Sequence, residues 1–185
     1  MGNNEKKLEI QANDYSSSAR VDILLKIINR YDTYIISTNT KASLIIAWNG
    51  VIIGSILMKH QEILGQFSCM NRLSEFIPVL LVFCGVFALL STGLIFGVVF
   101  PFLAPSRDGK ASLIFFGSVA DMKPEDYVAA MQSTSVNDLI ADLARQASVL
   151  AFGLKSKMER LQKSIRAIYA ELVIIAIMLI IYTLN

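Results

Sequence analysis

The side chains of this chain best suited to chemistry are cations. Lys155, Lys157, Arg160 and Lys163 follow one another closely, with Glu159 the one acid among them, and Arg107, Lys110 and Arg145 lie upstream. Such a run can hold a phosphate or another anion through charge-assisted hydrogen bonds. Beside a membrane it can equally be drawn to anionic headgroups, at about 1 kcal/mol per basic residue. Both readings stand on the residues alone, the first naming Arg107, Lys110, Arg145, Lys155, Lys157 and Arg160 as ligand contacts.

Groupings that break or make covalent bonds are not found. His60 has no Ser, Cys or carboxylate set at a recognisable spacing and is expected in a solvated loop. Gly109-Lys110 has the look of the end of a phosphate loop, but that motif requires Gly at 104 and Ser or Thr at 111, and the chain has Ala104 and Ala111. No metal-ligand cluster or glycine-rich dinucleotide turn occurs, so no enzyme, cofactor or metal is expected. The cysteines, Cys69 and Cys84, form no disulfide framework and are expected to be free. A net charge of +2 suggests no nucleic-acid partner. The polar N-terminus lacks a signal-peptide pattern, and Lys6 stands where a myristoylation motif wants Ser or Thr.

The elements that must position these cations are set by hydrophobicity. Phe76 to Ser106 is uncharged and rich in Phe, Leu, Val and Gly, and Pro101 and Pro105 close it. A helix needs about 20 apolar residues to cross a bilayer. Ala42 to Met58 is a shorter uncharged run bracketed by Lys41 and Lys59, whose long stems can reach opposite headgroup layers. Ala167 to Leu184 is a third candidate span, interrupted by Glu171.

Between the runs, the periodicity is helical. Val21, Leu24, Ile28, Tyr31 and Ile35 trace one helical face after the possible caps Ser16 to Ser18. Val136, Leu139, Leu143, Ala147, Leu150, Leu154, Met158, Leu161, Ile165, Ile168 and Leu172 recur at about 3.6 residues per step. This predicts one helix from about Val136 to near the C-terminus, with Ser135 and Asp138 as its cap pair. Pro124-Glu125-Asp126 reads as the start of a short helix ending by Ser133. Ala111 to Ala120 is short, apolar and aromatic, and reads as a strand or an extended covering segment.

The expected architecture is an all-α integral membrane protein with three transmembrane helices, cytoplasmic helical extensions and a small cytoplasmic segment containing minor β. In order, residues 1–15 are flexible, 16–41 form an amphipathic helix, and 42–58 cross the membrane. Residues 59–75 form an external loop, 76–100 cross back, 101–166 form a cytoplasmic sensing region, and 167–184 cross again. Lys and Arg concentrate in residues 1–41 and 101–166 rather than 59–75. The positive-inside rule therefore places the N-terminus in the cytoplasm.

Within the spans, Gly50 and Gly54, and Gly93 and Gly97, are small pairs four apart that permit close helix contact, either within one chain or between copies. Asn49 stands about 12 Å beyond Lys41 along a helix and needs a partner across a helix interface. Glu171 lies about 7 Å beyond Arg166, where Lys41 is a candidate intramembrane ion-pair partner.

Several of these features together resemble the Pycsar transmembrane effectors. They are Lys41-Ala42-Ser43-Leu44 entering a span, Asn49-Gly50 within it, and the proline-closed second span. Phe115-Phe116-Gly117, Glu125-Asp126-Tyr127 and the Asp142-Leu143…Gln146 helix follow in order. The likeness runs from about Tyr31 to Thr183, and departs from the family at Asn39, where an acid often stands. The resemblance implies a bacterial anti-phage effector. It would respond to a cyclic pyrimidine mononucleotide, cyclic CMP or cyclic UMP, made by a partner nucleotide cyclase, and impair the inner membrane in which it assembles as a homo-oligomer. An alternative is a membrane-anchored helical adaptor with no ligand-gated activity. A small transporter or channel subunit is a third reading, weakened by how few polar residues the spans carry.

The charge asymmetry gives a topology that can be measured. An alkaline phosphatase fused after Leu184 is expected to be active and one fused before Ser16 inactive; the reverse pattern contradicts the orientation.

Overall fold

In apolar surroundings a backbone must satisfy its own hydrogen bonds, so long apolar runs fold as helices. The computed structural model describes residues 2–67, 75–100 and 111–184, with side-chain surroundings for residues 16–65, 75–100 and 111–184. Helix α1 is Gly2–Phe67, α2 is Ile77–Val99, α3 is Phe116–Ala120, α4 is Pro124–Ser133 and α5 is Val136–Thr183. Among the described residues there is no strand.

Some boundaries differ from the sequence expectation. Residues 2–15 belong to α1, so Ser16 to Ser18 lie inside a helix and cap nothing. The connection expected over 59–75 is helical as far as Phe67, which places His60 on α1 rather than in a loop; its exposed ring Nδ1 lies 3.2 Å from the Leu57 carbonyl. Residues 111–120 are not a strand. They bend at Leu113 to Phe115 and then form α3. The expected starts of α4 and α5 are present: Pro124 opens α4 with Glu125 and Asp126 in its first turn. At α5, Ser135 Oγ accepts the Asp138 N–H at 3.2 Å and donates to its carboxylate at 2.5 Å.

The chain divides into two units, residues 1–35 with 101–155, and residues 36–100 with 156–185. Helices α1 and α5 each contribute to both, and neither is interrupted at the boundary. In the first unit, Val21, Leu24, Ile28, Tyr31 and Ile35 are half-buried, as their spacing predicts.

The second unit packs α1, α2 and the last part of α5 around two apolar clusters. One joins Ala42, Ile95, Val98 and Leu161, flanked by Ile45, Ile46 and Ile165. The other joins Ile77, Leu81 and Ile181, flanked by Ile56, Ile63, Leu64, Leu80 and Met178. The pairing makes α1 and α5 parallel with α2 running against both.

Besides these clusters, the unit buries polar side chains while exposing apolar ones. On α2, Cys84, Ser91 and Val98, seven apart, are buried. On its opposite face Val82, Leu89 and Phe96, also seven apart, are each more than half exposed. On α5, Ser164 and Glu171 are fully buried while Val173, Leu179 and Ile180 are exposed. In water such an arrangement would leave most of the hydrophobic free energy uncollected. In lipid, where apolar surface needs no covering, it is the expected one. The three helices are long and apolar enough to cross a membrane.

Ala42 is fully buried against Ile95 and Val98, and Leu44 two residues on is exposed. Ala42→Leu is expected to cost about 1–3 kcal/mol through overpacking, and Leu44→Ala close to nothing, in thermal unfolding in detergent.

Candidate functional site

The first unit is organised around one carboxylate. Asp142 sits on the buried face of α5, and its Oδ2 accepts the Ser112 hydroxyl and the Leu113 N–H, both at 2.9 Å. Ser112 Oγ accepts in turn from the Ile114 and Phe115 backbone and from Gln146 Nε2 at 3.2 Å. Tyr127, on α4, donates to the Leu113 carbonyl at 3.2 Å. Arg145 Nη2 lies 3.5 Å from Asp142 Oδ1, one turn along α5, and remains partly exposed. The donors saturate a carboxylate that would otherwise be costly to bury. They tie the bend before α3, α4 and α5 into one piece. Gly117 lies under the Phe115 ring, where an added Cβ would come within 2.6 Å of it.

The second unit carries a different arrangement. At the end of α2 the last carbonyls have no intrahelical partner and bear the negative end of the helix dipole. Two cations from α5 meet them: Lys157 Nζ donates to the Val98 carbonyl, and Arg160 Nη1 to the Gly97 carbonyl at 2.9 Å. Lys157 also donates to Asn39 Oδ1 at 3.3 Å. Its ammonium is buried. Deeper in the bundle the Ser91 and Ser164 hydroxyls pair at 2.7 Å, and Asn49 Nδ2 donates to Thr92 Oγ1 at 3.0 Å. Thr92 returns its proton to the Ala88 carbonyl.

The predicted site residues therefore separate. Arg145 belongs to the first unit and is engaged by Asp142; Lys155 is exposed in the same unit. Lys157 and Arg160 belong to the second and are committed to the end of α2. Arg107 and Lys110 lie outside the described residues, as does Cys69; Cys84 is free and buried. The ion pair between Lys41 and Glu171 is not formed. Lys41 is exposed, and both Glu171 oxygens are buried without a hydrogen-bond partner. The Trp48 indole lies toward that carboxyl but short of hydrogen-bonding geometry.

Asn49 has the cross-helix partner its position demands. The glycines behave less uniformly. An added Cβ at Gly50, Gly54 or Gly93 meets nothing within 4 Å, so these three do not dock α1 on α2 within the chain. Gly97 does make a close contact, beneath the Arg160 guanidinium. Among the described residues no group of three or more His, Cys, Asp or Glu is placed to hold a metal ion.

Sequence reasoning missed Ser112, Tyr127, Ser91, Thr92 and Ser164. For the two membrane serines a signal exists. Lys157, Ser164 and Glu171 repeat every seven residues, as do Cys84, Ser91 and Val98.

Residues 23–184 match the family described as the Pycsar effector protein domain, most of the chain. The chain belongs to that family. Membership implies an effector role in anti-phage defence and a cyclic nucleotide signal in general, and it accords with three membrane helices. No curated relative and no solved structure matches the chain.

Removing the carboxylate at the centre of the first unit orphans the Leu113 N–H and a hydroxyl. Asp142→Ala is expected to cost about 1–3 kcal/mol and to raise amide hydrogen exchange over residues 112–120. Unchanged exchange there contradicts the organising role of Asp142.

Proposed function

We propose that this Pycsar effector is switched by a cyclic pyrimidine mononucleotide and then permeabilises the bacterial inner membrane, causing abortive infection. The first unit, on the cytoplasmic side, is the sensor, and the second is the membrane-active part. The observation that carries this reading is the continuity of α1 and α5, each of which serves both units without a break. A ligand that binds one arrangement of the first unit better than another biases the same helices that lie in lipid. The partner is functional and not necessarily physical: a nucleotide cyclase supplies the signal, and the effector itself is proposed to perform no bond chemistry.

Arg145 and Lys155, with Arg107 and Lys110, are the cations proposed to meet the ligand phosphate. Lys157 and Arg160 instead hold the end of α2. The division is supported by the bonds at the end of α2, where Lys157 is buried against the Val98 carbonyl and Arg160 donates to the Gly97 carbonyl.

Assembly is proposed to use the open glycine face. Gly50 and Gly54 meet nothing within the chain, so that face is available to a second copy. Gly54→Leu then leaves the fold of a single chain intact and is expected to suppress toxicity on induction with the cyclase. Unchanged killing at equal expression removes that face from the mechanism.

The central test of this reading is leakage of a trapped dye from proteoliposomes on adding cyclic CMP or cyclic UMP. Release with one of them and none with a linear nucleotide is expected. No ligand-dependent release contradicts the proposal.

A further inference from the structure

Buried polar residues are few in the second unit: Thr38 and Asn49 lie on α1, and those of α2 and α5 fall on one line. Down α5 the buried polar residues are Lys157, Ser164 and Glu171, at intervals of seven. Along α2, which runs the other way, Val98, Ser91 and Cys84 face them at the same interval. Lys157 donates to the Val98 carbonyl, the Ser164 and Ser91 hydroxyls meet at 2.7 Å, and Cys84 and Glu171, the next positions along each helix, are both buried. Seven residues rise about 10.5 Å, so three such rungs extend over about 21 Å. That is most of a hydrocarbon core about 30 Å thick.

The fourth rung is different. Ile77, seven residues from Cys84, packs with Leu81 and Ile181, and Met178, seven residues from Glu171, joins them. An apolar cluster of this kind excludes water and closes the line at one end. At the other end the Lys157 ammonium caps the line, donating to the Val98 carbonyl and to Asn39 Oδ1.

Glu171 is the anomaly on this line. It is fully buried, neither oxygen has a hydrogen-bond partner, and Lys41 is exposed rather than paired with it. Asn49 Oδ1, in the same bundle, is also without a partner. An apolar side chain of similar volume would pack the closed bundle at lower cost, so closed packing does not account for a carboxyl here. Intramembrane ionisable groups of this kind mark ion pathways.

We propose that the α2–α5 line is a cation path, held shut by the Ile77–Leu81–Ile181 cluster, and that Glu171 is its cation-binding group once water enters. The ligand class is a small monovalent cation. The carboxylate supplies the charge, and the Ser91 and Ser164 hydroxyls supply neutral oxygens along the way. Only the trigger for opening rests on the proposed function; the path itself does not.

Cys84 provides a native reporter beside Glu171. In a Cys69→Ser background it is the remaining thiol, since the chain has two cysteines. The reagents are two small membrane-impermeant methanethiosulfonates, one a quaternary ammonium and one a sulfonate, applied to reconstituted vesicles. One arm opens the protein with cyclic CMP or cyclic UMP; a second uses Ile181→Ser with no nucleotide, to weaken the apolar closure. Cys84 is expected to react about tenfold faster with the cationic reagent, as a charged, low-dielectric cleft concentrates counter-ions. Glu171→Gln, which keeps the side-chain volume, should bring the ratio close to one, and Glu171→Asp should restore a preference. Circular dichroism controls for folding of each variant. Labelling in the Ile181→Ser arm alone upholds the path while telling against the nucleotide trigger. An inert Cys84 in both arms of folded protein overturns the path. Equal reaction with both reagents overturns the role of Glu171.

Discussion

A bilayer interior offers no water to a polar atom, so a hydroxyl, amide or carboxyl on a spanning helix has to find its partner within the protein, on its own helix or on another. That constraint sets the register of the second unit. Ser91 meets Ser164, Asn49 meets Thr92, and the exposed carbonyls at the end of α2 are met by Lys157 and Arg160. Apolar contacts between such helices are weakly selective, because lipid tails satisfy them equally well. The polar contacts are selective: sliding α5 by one residue would break three of these four pairs, all but Asn49–Thr92. The same constraint makes the orphaned Glu171 carboxyl meaningful, since among the described residues it is the buried carboxyl whose oxygens both lack a hydrogen-bond partner.

The first unit satisfies its buried polar groups in a different way. Asp142 gathers Ser112, the Leu113 N–H and Arg145, and Tyr127 ties α4 to the same bend. A network with every member satisfied is rigid and has few ways to rearrange. On the proposed function, a signal received there is transmitted as a movement of whole elements rather than absorbed by side chains. The elements that leave this unit are α1 and α5, the two that also line the membrane bundle.

Much of this was legible in the sequence, and the remainder was hidden for identifiable reasons. The three spans, α4, the Ser135–Asp138 cap and the single long α5 followed from hydrophobic runs, Pro124 and periodicity. Asn49 declared its need for a partner by depth alone. The packing face of α5 followed the apolar pattern through Leu143, Ala147, Leu154 and Leu161, all buried, but not beyond. A 3.6-residue apolar pattern leads from Leu161 to Leu172, yet Leu172 is 41% exposed and the buried positions are Ser164 and Glu171. In lipid the apolar stripe stops reporting the inside, and the seven-residue polar spacing reports it instead. The short stretch before α3 looked like a strand because it is apolar and aromatic. Ser112 overrides that local preference by presenting its hydroxyl to two following amides. The Lys41–Glu171 pair failed because matching depth does not fix which face of α1 a side chain occupies.

The claim on which the account turns is that an event in the sensor changes the hydration of the membrane bundle. Hydrogen–deuterium exchange of α2 in nanodiscs, with and without cyclic CMP or cyclic UMP, tests it most directly. Faster exchange of the α2 amides between Cys84 and Val98 in the presence of the nucleotide is the predicted result. Exchange there that is unchanged while the nucleotide is bound would contradict the account.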